Sequence, residues 1–177
     1  MRKLIFLLLF ISSLFFNAQV KWITFSEAMA AEKIQPKKII IDFYADWCKP
    51  CKLMDQKTYG NSIITNYINE HFYAVKFEAD GSENISYLGK KFNGGSSQDK
   101  KSQNSLNAFT RFMNVSSIPS TVFLDEKSYP ITNLNGYLTA KELDAYLIMI
   151  STEDYKKIKT KEDWENYTKK LHSNIKE

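Results

Sequence analysis

The chain has only two cysteines, Cys48 and Cys51, and they stand three residues apart. They lie in residues 42–52, Asp-Phe-Tyr-Ala-Asp-Trp-Cys-Lys-Pro-Cys-Lys. The β-branched run Ile39–Ile41 leads into this stretch and a helix-like pattern follows it. The reading is a buried strand that delivers two thiols to the start of a helix. That layout suits thiol chemistry. The first N–H groups of a helix have no partners and favour an anion, so Cys48 ionises more readily than a free thiol. Cys51 lies one turn further along the same face. Its attack on a mixed disulfide at Cys48 is therefore local. Pro50 fits the first helical turn, where its missing N–H costs nothing. A structural zinc site needs four ligands, and the chain has no third cysteine and only His71 and His172. A purely structural disulfide across so short a loop gains little, because the entropic benefit grows with loop length. Asp42 is set inside the apolar strand, where burial of a carboxylate raises its pKa. Trp47 shields the thiols and offers a flat contact surface.

The surrounding pattern supplies the frame. Val20–Phe25 reads as a first edge strand. Ser26 is the expected cap of a helix to about Ile34, with Ala28, Met29, Ala31 and Ile34 on its apolar face. A strand at 38–45, a helix at 50–57, an interruption at Gly60-Asn61, a helix to His71 and a strand at 72–78 follow. This order is a βαβ pattern with parallel pairing. Ile85–Phe92 is expected to form a short hairpin or strand. Residues 93–104 are polar and Gly/Ser-rich, and are read as a mobile loop. Leu106–Met113 returns to helix. An apolar strand with a proline at its mouth, residues 117–125, precedes a turn at 126–130 and a last strand at 131–137. Thr139 and Glu142 form a capping box that opens a helix to about Ile150, with Leu143, Tyr146, Leu147 and Ile150 facing the sheet. Thr160 and Asp163 form another. It opens an amphipathic helix in which Trp164, Tyr167, Leu171 and Ile175 recur at helical spacing.

The stretch around Cys48 and Cys51 resembles the active-site segment of the thioredoxin-like superfamily. It is similar to exported bacterial thioredoxin family proteins and to the C-terminal thioredoxin-like domain of the thiol reductase DsbD. The resemblance runs over roughly residues 20–150. It implies an α/β fold, with a central mixed sheet flanked by helices. The insertion at about 81–105 and the extra C-terminal helix are additions to that fold. It implies that Cys48 is the nucleophile and Cys51 the resolving thiol. Asp42 relays the proton of Cys51, and Asp55 acts as a second acid. Pro119 is then a cis proline beside the cysteines, and the backbone of Ile118 pairs with the substrate. Trp47, Lys49 and Pro50 complete the expected substrate-binding set. Ser120 departs from the family's usual Pro-Thr, and Gly136 matches a family glycine at the sheet edge. No cofactor or metal is expected.

The 177 residues suffice for one domain with a real core, and 44% are hydrophobic. Residues 1–18 read as a signal peptide: Arg2 and Lys3, an apolar run from Leu4 to Phe16, and Ala18 before the cut. Removing Arg2 and Lys3 from 24 basic residues leaves 22 against 20 acidic, a balance that does not point to nucleic acid. The expected organisation is a leader at 1–18, a thioredoxin-like domain at 19–150 and a helical extension at 151–177. The expected function is a periplasmic protein-disulfide reductase. It is read as a monomer without stable membrane insertion after cleavage, recharged by a membrane thiol reductase. A disulfide-forming oxidant or isomerase, and a redox-inert peptide-binding adaptor or chaperone, are the alternatives.

Overall fold

The computed structural model describes residues 19–94, 106–170, 173 and 175. The leader, most of the Gly/Ser-rich loop and Leu171 lie outside these residues. Among them the order is β1 (Trp22–Ile23), α1 (Phe25–Ile34), β2 (Lys38–Tyr44), α2 (Lys49–Met54), a π-helical turn (Asp55–Tyr59), α3 (Ser62–His71) and β3 (Phe72–Glu78). The hairpin β4 (Ile85–Tyr87) and β5 (Lys90–Phe92) follows, then α4 (Ala108–Phe112), β6 (Ser120–Leu124), β7 (Pro130–Asn135), α5 (Ala140–Ser151) and α6 (Lys161–Lys170).

Five strands make one sheet in the order β1-β3-β2-β6-β7. β1 and β2 run parallel to β3, while β6 and β7 are antiparallel neighbours. The sheet is mixed and covered on both faces, as the sequence predicts. β2 is its centre, and its side chains alternate between two cores because a strand turns successive residues to opposite faces. Ile39, Ile41 and Phe43 join Phe25, Phe77 and Phe109 on one side. Ile40 joins Ile64, Ile68, Phe123, Leu143 and Leu147 on the other. Each such large side chain, once fully buried, stabilises the fold by about 1.5–3 kcal/mol.

The hairpin β4–β5 forms as expected and is part of the body. Tyr87 and Phe92 pack their rings on Phe109. The C-terminal extension docks in the same way. Trp164 stacks on Tyr146 with centroids 5.1 Å apart, and Tyr167 and Ile175 pack against the second core.

Several boundaries differ from the sequence reading. The first strand is only Trp22–Ile23, because α1 begins earlier than Ser26 allows. Thr24 is the cap: its hydroxyl accepts from the Glu27 N–H, and the Glu27 carboxylate accepts from the Thr24 N–H. Ile34 does not face the core. It is the last residue of α1 and is 88% exposed. The redox helix does not end at Lys57 but passes through the π turn before Gly60. The last strand stops at Asn135, since Gly136 takes φ +105° and its N–H donates to the Pro119 carbonyl at 2.8 Å.

Candidate active site

Strand β2 ends at Tyr44, and four residues later Cys48 caps α2. The Cys51 N–H donates to Cys48 Sγ at 3.2 Å. A side-chain sulfur therefore takes the place of the usual Ser or Asp cap, and the helix's free amide is aimed at it. Cys48 and Cys51 are joined as a disulfide, with Cα atoms 5.3 Å apart. Both are buried with Ala45 in a small apolar cluster, against which Tyr44 and Ile118 pack. Trp47, Lys49 and Pro50 are exposed around it, Trp47 at 41%. The Ile118–Pro119 bond is cis, and Pro119 is buried at the mouth of β6. The chain thus brings Cys48, Cys51 and Ile118 into direct contact, with Pro119 the next residue.

Asp42 is 2% exposed. Burial raises its pKa to about 6, against the pull of Lys76 and with a further push from Asp55. Its Oδ2 accepts from the Lys76 ammonium at 2.6 Å, and its Oδ1 has no hydrogen-bond partner. A buried carboxylate oxygen without a donor is rare, and it leaves a lone pair open to a proton. Asp55, on the π turn, is 40% exposed along its side chain and accepts from the same ammonium. Asp42 and Asp55 are therefore linked through Lys76. Burial pulls the Lys76 pKa down, but the two carboxylates more than offset this and the net direction is up. Tyr59 lies fully buried beside the group, its hydroxyl 3.2 Å from the Thr121 hydroxyl. Burial and the Asp42 charge hold the Tyr59 pKa well above its ordinary value.

Two participants escape the sequence reading. Lys76 interrupts the apolar run of β3, and the parallel register sets it directly beside Asp42. A lysine at an inward position of a central strand is the available signal. Asp80 is buried and accepts from the Trp47 indole N–H at 2.9 Å. It fixes the ring next to Cys48.

A family profile described as a thioredoxin-like domain matches residues 25–150. The chain belongs to the thioredoxin-like family. With the Cys48–Cys51 pair in place, it is a protein-disulfide oxidoreductase of that family. Its relatives include the thiol:disulfide interchange protein DsbD of Pectobacterium atrosepticum, 24% identical over 114 residues. That match covers 63% of this chain and only 16% of DsbD. Similar folds include a thioredoxin from Thermus thermophilus, at TM-score 0.56 and 17% identity, covering 76% of this chain and 89% of that one. A thioredoxin-fold protein from Helicobacter pylori has TM-score 0.55 and 22% identity, covering 76% and 80%.

Proposed function

We propose that this thioredoxin-like protein is exported and reduces disulfides in protein substrates. The observation that carries the reading is a two-cysteine centre at a helix start, with a buried carboxylate of raised pKa on the strand that leads into it. In the reduced form the Cys51 N–H stabilises a Cys48 thiolate. That thiolate attacks one sulfur of the substrate disulfide, forms a Cys48–substrate bond and expels the other sulfur as thiolate. Asp42 takes the proton of Cys51. The Cys51 thiolate then attacks Cys48, re-forms the Cys48–Cys51 bond and releases the second substrate thiol. Two electrons pass from protein to substrate. Ile118 and Pro119 hold the substrate backbone, and Trp47, Lys49 and Pro50 face it.

The leader-like pattern of residues 1–18 supports a periplasmic site. The Cys48–Cys51 disulfide left by each turnover must be re-reduced, and for an exported protein a membrane thiol reductase would be the electron donor. Insulin reduction with dithiothreitol as donor tests the chemistry. In cells, a Cys51→Ser variant should accumulate mixed disulfides at Cys48 with its protein substrates and with the donor. Absence of both activities would leave the peptide-binding alternative standing.

A further inference from the structure

β1 is two residues long, lies at the sheet edge and carries an aromatic side chain that neither cysteine touches. Trp22 pairs in the sheet with Ala74 and meets Tyr59 edge-on, with centroids 5.0 Å apart. The Lys76 ammonium lies 5.0 Å from the Trp22 centroid, 4.9 Å from that of Tyr44 and 5.6 Å from that of Tyr59. Three rings from three elements surround one cation, all within the range in which a ring face attracts an ammonium. The segment that brings Trp22 there is pinned to α3. The Lys21 N–H donates to the Asn69 side chain, and the Asn69 amide donates to the Gln19 carbonyl. A cavity of about 480 Å³ opens on this group, lined by Gln19, Val20, Trp22, Asp55, Tyr59 and Lys76.

We propose that Trp22 is a positioning residue for the proton transfer at Asp42, holding the Lys76 ammonium in the place from which it reaches both Asp42 and Asp55. The inference rests on the reading that Asp42 serves Cys51. Without the indole, the ammonium has open cavity on that side and can swing to water with Asp55. It then leaves a buried carboxylate whose ionised form its charge favours. The groups that face Asp42 are Lys76 from β3, Asp55 and Tyr59 from the π turn, and Thr121 opposite it on β6. Those that face Lys76 are the two carboxylates and the three rings. Tyr44 is in turn influenced by Glu78 and Asp46. Lys76 is the cation on Asp42, so its displacement moves the ionisation of Asp42 to higher pH.

The test uses the reduced protein and the aromatic disulfide dithiobis(nitrobenzoate), which releases one coloured thiol on attack by Cys48 and a second on attack by Cys51. The second phase is followed by stopped flow from pH 5 to 8. Trp22→Leu should raise its midpoint by roughly half a pH unit, about a threefold loss of rate below the midpoint, as expected for one partly buried ring–ammonium contact. Trp22→Phe keeps a smaller ring and folds with less disturbance. It should fall between the wild type and Trp22→Leu. In an Asp42→Asn background neither change should alter the pH dependence further. Melting temperatures are measured alongside, because a merely structural Trp22 lowers them without moving the midpoint. An unchanged midpoint in Trp22→Phe and Trp22→Leu overturns the inference and leaves Asp42 in its role. An unchanged midpoint in Asp42→Asn itself overturns it differently, by removing the role on which it rests.

Discussion

Replacing Asp42 by asparagine should make the protein more stable and less competent. Burial lifts the carboxylate from 3.8 to about 6. At about 1.4 kcal/mol per tenfold change, ionising it inside the fold costs roughly 3 kcal/mol. The sign follows from proton binding. Between about pH 4 and pH 6 the folded chain keeps a proton that the unfolded chain has released, so wild-type stability falls as pH rises through that window. Above the window the whole cost is present; below it, none. The neutral amide of the Asp42→Asn variant carries no such cost, but it deprives Lys76 of one of two carboxylates. The expected net gain is about 1–3 kcal/mol at pH 7.5 and near zero at pH 3.5. It would be read from urea or guanidinium unfolding of the disulfide form. The same variant should slow the second, Cys51-dependent phase of thiol release on the order of 100-fold while hardly affecting the first, since a positioned base serves only that step. A stability change equal at both pH values would show that charge burial is not its source. Equal effects on the two phases would refute the assignment of the proton to Cys51.

Other outcomes follow from the same geometry. Lys49 is exposed, so its attraction for the Cys48 thiolate is screened by salt. Equilibration against glutathione should place the potential at roughly −270 to −200 mV, with Lys49→Gly shifting it little; a value near about −120 mV would promote the disulfide-forming alternative. Intact-mass measurement of exported protein should give a chain starting near Gln19, and retention of residues 1–18 would overturn the leader assignment. Trp164→Ala should cost about 1–2 kcal/mol of stability, for a half-buried stacked ring. It should leave insulin reduction unchanged, because Trp164 packs in the second core and not in the disulfide's own cluster.

The parts of this site that sequence discloses are those built from neighbours in the chain. Cys48, Pro50 and Cys51 fall within one helical turn, and Ile118-Pro119 is a dipeptide. Both can be read without knowing the sheet. Lys76 becomes part of the site only through the register that sets β3 against β2, and Asp80 only through the loop that returns to Trp47. Neither contact is local. The α1 cap is a different case. Glu27 stands three residues after Thr24, so the capping-box spacing itself points to Thr24 rather than Ser26. The same spacing correctly predicts the boxes at Thr139 and Thr160. Periodicity turns Ile34 inward, but periodicity says nothing about where a helix outruns the surface it packs on.

The π turn at Asp55–Tyr59 gives the redox helix a built-in register offset. A π turn inserts one residue relative to regular α-helix, and one residue of helix is about 100° of rotation. The helix ends at Gly60 and Asn61, extended at ψ 126°, opens α3 afresh, so the offset falls within the redox helix and separates the phase of Cys48 and Cys51 from that of Thr58 and Tyr59. Regularising the segment by deleting one residue would keep both cysteines and both apolar faces in the sequence. It would nonetheless turn the end of that helix by about 100° against its start, taking the Thr58 hydroxyl from the Leu138 carbonyl and the Tyr59 ring from Lys76. The irregular turn thus lets one short helix present its start to the disulfide and its end to Lys76 and the Leu138 carbonyl.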